Sequence, residues 1–105
     1  MAQRFVILRH SVNGGEHFDL MLEAPGEPSL ITWQLATWPL EPGAGCAAKS
    51  LGPHRLAYLT YEGEVSHGRG IVTRVDQGDW YMEANLIVLR ADLRLQIEDG
   101  TARRV

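Results

Sequence analysis

Residues 4–23 read RFVILRHSVNGGEHFDLMLE, and the alternation within this stretch decides the fold class. Arg4 to His10 is rich in Phe, Val, Ile and Leu and alternates only weakly, the pattern of a largely buried strand. His17 to Glu23 alternates cleanly. Phe18, Leu20 and Leu22 fall on one face, and His17, Asp19, Met21 and Glu23 on the other. The six residues between, Ser11 to Glu16, contain two glycines and read as the loop of a hairpin. In a hairpin the last residue of one strand faces the first of the next. His10 and His17 are therefore expected to meet at one mouth of a barrel, with Asp19 on the same face.

Working outward, the pattern stays β-like. Ala24 to Ser29 holds two prolines and a glycine and reads as a turn, and Leu30 to Thr37 as a third strand. Pro39 to Gly45 is a Pro-rich loop, and Cys46 to Leu51 a short strand. Arg55 to Glu64 alternates as a strand would, with Leu56, Tyr58, Thr60 and Glu62 opposite Ala57, Leu59 and Tyr61. Ser66 to Gly70 is a turn and Gly70 to Val75 a strand. Asp76 to Asp79 reads as a hairpin turn, with Trp80 to Glu83 starting the return. Asn85 to Ala91 and Leu93 to Glu98 are two further strands, although Ala84 to Leu95 also contains good helix formers and fits a helix as an alternative. Trp33, Trp38 and Trp80 are expected in the core. Many short strands with Gly/Pro punctuation predict an all-β fold: a small closed or partly open β-barrel of short antiparallel strands, one domain over residues 1–105.

Composition limits the function classes. The net charge is -3 and the basic residues are dispersed, Arg103-Arg104 being the only adjacent pair. A nucleic-acid binder usually carries a basic stripe, so contact with a polyanion needs local positive charge or a bound cation. Cys46 is the only cysteine, which forbids an intrachain disulfide and fits a reducing cytoplasm. It has no immediate cationic neighbour and is read as unreactive. The apolar run near the N-terminus is too short for a signal peptide, and no stretch approaches a membrane span. A cytoplasmic protein without membrane contact is the expectation.

Two imidazoles and a carboxylate gathered by one turn make a candidate metal site. Three protein ligands leave open positions for water and substrate, as a catalytic metal requires. Such a set does not choose the ion, since imidazole suits zinc and iron and carboxylate oxygen suits manganese. Glu23, on the same face, is expected to orient a histidine from outside. By spacing alone the same residues also read as two loop-flanking surface histidines and a solvated aspartate. His54 and Tyr58, four apart, form a donor pair suited to holding a phosphate oxygen or protonating a leaving group, or else a loop histidine beside a packed tyrosine. His67 reads as a turn histidine.

In this order, the pieces resemble the 3'-phosphoesterase domain of bacterial DNA ligase D. RFVILRH is similar to that family's opening strand, which ends in a metal-binding histidine. HFDLMLE resembles its H-Y-D-F-R-L-E strand, and LITWQL its strand centred on Ser-Trp. GPHRLAYLTYEGEVSHGRGIVTRVDQGDW resembles its D-H-P-L-D-Y, F-E-G, G-x-G-x-V and D-x-G-x-W series. The likeness runs from about Arg4 to Trp80. It implies a small β-barrel that removes 3'-phosphates and 3'-terminal ribonucleosides during DNA repair, here as a stand-alone, divergent member. It implies manganese, or another divalent metal such as zinc, on His10, His17 and Asp19. It also implies phosphate contacts from His54 and Tyr58, and a nucleic-acid 3' end or small phosphoester as the partner, with a DNA-repair protein as a further one. Three cations of the family align with Met21, Thr37 and Cys46. Arg9, Lys49 and Arg55 are the neighbouring cations expected to replace them. If nothing replaces them, the expectation is a degenerate module that binds a metal and a nucleotide or protein without hydrolysis.

Overall fold

A computed structural model describes residues 3–105. Its strands are β1 (Gln3–Val12), β2 (Gly15–Leu22), β3 (Ser29–Leu35), β4 (Gly45–Arg55), β5 (Gly63–Glu64), β6 (Ile71–Glu83), β7 (Leu86–Leu89), β8 (Leu93–Glu98) and β9 (Thr101–Arg104). All pairings are antiparallel. They follow the order β1-β2-β3-β4-β9-β8-β7-β6, and β1 also pairs with β6, so eight strands form a ring close to a partly open barrel. The short β5 pairs with the first two residues of β6. Ring closure leaves few unpaired edges, which is how a small all-β chain satisfies its backbone polar groups. Among the described residues no helix is long and apolar enough to cross a membrane.

Two cores, one on each face of β1 and β2, explain the sequence pattern. Phe5, Ile7, Leu20, Leu35, Leu89 and Leu95 belong to the main cluster, which draws on all eight ring strands and fills the barrel. Val6, Leu8, Met21, Leu30, Leu59 and Val72 form a second cluster on the outer face, with Tyr58 and Val65 packed against it. Because both faces of β1 are covered, its alternation is weak. Each buried Leu or Ile contributes about 1.5–3 kcal/mol relative to exposure, so both clusters matter to a barrel of this size. Trp38 and Trp80 are in the main core, and Trp33 packs against it.

Four expectations need correction. The hairpin between β1 and β2 turns on two residues, not six: Asn13 and Gly14 have φ of 50° and 79°, as a type I′ turn demands. Arg55 to Glu64 is not one continuous strand: it holds the last residue of β4, a helical turn and the two-residue β5. A one-turn 3₁₀ helix over Leu56–Leu59 drops Leu59 into the outer cluster, and burial of that leucine and Tyr58 outweighs the local alternation. Asp76 to Asp79 does not turn, because β6 runs unbroken through it to Glu83. Asp76 accepts hydrogen bonds from Trp38 Nε1 (3.2 Å) and Arg90, and Gly78 leaves room beside Phe5 for the Arg90 chain. The helix alternative for Ala84 to Leu95 fails as well: these residues supply β7 and the start of β8, whose apolar side chains line the barrel. Thr101–Arg104, to which the sequence pattern assigns no element, form β9 and join β8 to β4.

Candidate metal centre

The register of the first hairpin builds the centre. His10 pairs with His17, Leu8 with Asp19 and Val6 with Met21. Directly paired residues share a face, and the face with Val6, Leu8 and Met21 carries the outer cluster. The two histidines and Asp19 therefore stand on the outside of the barrel wall, at the end of the second core. They are not at the barrel mouth, as the hairpin pattern suggested.

The three side chains converge. Their ligand atoms all lie within 4.8 Å of one another. The imidazole rings of His10 and His17 meet edge to face with centroids 4.8 Å apart. His10 Nδ1 is 3.7 Å from Asp19 Oδ2, and His17 Nε2 is 3.3 Å from Asp19 Oδ1. Asp19 is only 3% exposed. Its Oδ1 is buried without a hydrogen-bond partner, because the approach of His17 lacks hydrogen-bond alignment. Burial pushes the carboxyl above its usual range, while the positive fields of His17, His10 and His54 pull it down. An orphaned buried carboxylate oxygen is rare in folded proteins and costs about 1–3 kcal/mol. A cation between the three side chains removes that cost, so this donor set fits a divalent metal. Two nitrogens and one oxygen suit zinc or manganese without choosing between them.

The environment of the cluster is mixed. His54 pairs with Leu30 at the end of β4, and its Nδ1 lies 2.9 Å from the carbonyl of Gly52. A carbonyl only accepts, so Nδ1 carries the proton and the neutral ring keeps its lone pair on Nε2. Tyr58 stands edge to face with His54 at 5.9 Å and with Tyr61 at 6.0 Å. The structure thus groups His54 and Tyr58, and His54 is close enough to act on the Asp19 charge. Lys49 pairs with Gln34, which pairs with Asp19. That row puts Lys49 on the same face, two strands from Asp19, about 10 Å between backbones. Arg55 lines a cavity of about 230 Å³ with Tyr58 and Tyr61. A groove of about 860 Å³ runs between the hairpin tip and residues 64–71, and none of the three cluster residues lines it.

Several expected neighbours lie elsewhere. Glu23 orients no histidine. Its carboxylate accepts the Arg4 backbone N–H at 3.0 Å and faces the Arg4 guanidinium at 3.5 Å. It lies four residues on from Asp19, just past the end of β2 and about 13 Å away. Arg9 is exposed on the face shared with Phe5 and Ile7, opposite to His10. Met21, on the same strand face, is 1% exposed inside the outer cluster and offers the site no polar group. Cys46 packs against the main core, with its thiol toward the Thr37 carbonyl at 3.6 Å, and Thr37 is exposed beyond β3.

Two neighbours were missed. Arg74 pairs with Leu8, on the site's face, and is engaged by Glu62 through its backbone N–H (3.0 Å) and guanidinium (3.5 Å). The backbone carbonyl of Arg69 takes His10 Nε2. No sequence signal marks a carbonyl contact, but the extra residue at the β6 bulge that turns Arg74 outward is equally silent. The chain matches no protein-family model and no curated protein.

Proposed function

We propose that this chain is a divalent-metal-binding, phosphoesterase-like protein acting on a 3' end of DNA or RNA, or on a related phosphoester. The observation that carries the metal half is the orphaned Oδ1 of Asp19 between two converging imidazoles. Manganese or zinc, when bound, would supply a Lewis acid for a phosphoryl oxygen and lower the pKa of water. His10, His17 and Asp19 would hold it. The phosphoester half rests on the ordered likeness to the ligase D phosphoesterase domain and on the grouping of His54 and Tyr58 beside the cluster. His54, with its lone pair on Nε2, accepts a proton or, once protonated, donates to a phosphate oxygen. The Tyr58 hydroxyl orients the ester, and Lys49 is the exposed cation on the same face. In this reading the partner is a nucleic-acid 3' end or small phosphoester in a DNA-repair setting of the cytoplasm.

The test is release of phosphate from a 3'-phosphate primer–template with manganese present, against His54→Ala and Asp19→Ala. Turnover lost in both variants supports the reading. Metal binding without turnover on any 3'-phosphate removes the esterase half.

A second reading is a module that keeps the metal and binds a nucleotide or protein without hydrolysis. It draws on one observation: Met21, where the resembled family has an arginine, is sealed in the outer core. A charge-assisted bond to phosphate is worth about 1.5–3 kcal/mol, so its loss weakens phosphate binding by one to two orders of magnitude. Steady turnover excludes this second reading.

A further inference from the structure

We propose that the Ser66–Gly70 turn is a positioning device for His10: the main-chain carbonyl of Arg69 selects which ring nitrogen faces Asp19, and Gly70 lets that carbonyl reach the ring. The inference rests on the metal-site reading above and assigns roles to two residues outside the ligand set.

The geometry begins at the imidazole. His10 Nε2 meets the carbonyl oxygen of Arg69, 59 residues away in sequence. A carbonyl has no proton to give, so Nε2–H must donate. In the uncharged ring the lone pair is then on Nδ1, and Nδ1 is the nitrogen that faces Asp19 Oδ2 at 3.7 Å. The carbonyl thereby sets the tautomer and ring orientation together. Outer partners of this kind typically change metal affinity by about 10–100-fold.

The turn is built to hold the carbonyl still. The Val65 N–H donates to the Gly70 carbonyl at 2.8 Å. The Arg69 guanidinium folds back on its own turn, Nε donating to the Ser66 carbonyl at 2.8 Å and Nη2 to Ser66 Oγ at 3.0 Å. Gly70 has φ of 94°, and any Cβ there would collide with the Ser11 carbonyl and stand 2.9 Å from Val12 Cβ. Those atoms belong to β1 next to His10, where His10 pairs with Val72 and Ser11 with Ile71. The obstructing carbonyl is backbone and cannot swing aside, so a larger residue must push the turn, and with it the Arg69 carbonyl, away from the ring.

The test is Gly70→Ala, with Arg69→Ala as a second variant that keeps the glycine but releases both bonds to Ser66. Long-range ¹H–¹⁵N spectra of the metal-free protein, with the ring uncharged, read the His10 tautomer. Calorimetric titration with manganese or zinc reads affinity. Expected are an Nε2–H ring in the parent and a mixture of tautomers in Gly70→Ala. Metal affinity should fall by roughly 10–100-fold in Gly70→Ala and by less in Arg69→Ala. An Nδ1–H ring in the metal-free parent overturns the inference. So does a folded Gly70→Ala with the parent's tautomer and affinity. If Gly70→Ala does not fold, Arg69→Ala decides by the same two readouts. A parent that holds the Nε2–H ring, loses it in the variants and binds neither metal supports the carbonyl's control of the ring and removes the metal reading instead.

Discussion

Asp19→Ala separates a metal ligand from a structural aspartate by the sign and size of its effect on stability. A buried carboxylate that serves the fold is costly to remove, and breaking a buried ion pair loses about 3–5 kcal/mol. Asp19 differs in that one of its two oxygens has no hydrogen-bond partner, and its burial disfavours the charged form. The orphaned oxygen costs the metal-free protein about 1–3 kcal/mol. Removing it returns that amount, which offsets the lost contacts to His10 and His17 at 3.7 and 3.3 Å. The net change in metal-free stability should stay within about 1 kcal/mol. With metal at a hundred times its dissociation constant, the parent should gain about 2.7 kcal/mol. For a domain of this size that raises the unfolding midpoint by about 10–20 °C, and the variant should gain nothing. Thermal unfolding followed by circular dichroism, with and without manganese or zinc, measures both quantities. An equal metal-induced rise in parent and variant would place the ligands elsewhere. A loss of 3–5 kcal/mol without metal would make Asp19 a structural residue and sink the argument.

Other outcomes follow from the same geometry. Met21→Arg puts an unpaired guanidinium into the outer cluster and should cost about 3–5 kcal/mol; a urea midpoint equal to the parent's would mean that Met21 is not buried. Glu23 is held below the usual carboxylate range first by the Arg4 backbone N–H, then by the Arg4 side chain. Its contribution is therefore complete above the ordinary value of 4.5 and lost as pH falls through the lower native value. The stability gap between parent and Glu23→Gln should narrow as pH falls below 4.5, and a constant gap down to full protonation contradicts the ion pairing. Gly78→Ala brings a Cβ to 2.6 Å from Arg90 Cγ and should cost about 1–3 kcal/mol by displacing Arg90 from Asp76, an effect that Arg90→Ala should largely abolish in a double-mutant cycle.

Period-2 alternation made the first hairpin legible, and with it the pairing of His10 with His17 and the side of the strand on which Asp19 lies. The turn takes two residues rather than six, and Asn13-Gly14 is the strongest short hairpin signal a sequence offers. Asp76-Gln77-Gly78-Asp79 misled for the opposite reason: turn-forming residues were used for packing, with the Asp carboxylate bonded to Trp38 and Arg90 and the glycine making space. Glu23 shared the right face, but face membership does not fix distance along a strand. Arg4 is across the ladder from its end, and the histidines are not.

The amino-acid sequence by itself determined the β class, the first hairpin's register and the convergence of two imidazoles with one carboxylate. These follow from local backbone geometry, in which side chains alternate and paired residues share a side. Tertiary structure alone decided which of the two sides faces the barrel interior. It sealed Met21 inside the outer cluster and left the candidate centre on the outer wall. It also brought the Arg69 carbonyl to His10 from 59 residues away. Closure of the ring and coverage by a distant loop set these features, and alternation, which is the same for a strand whichever face is covered, does not encode them.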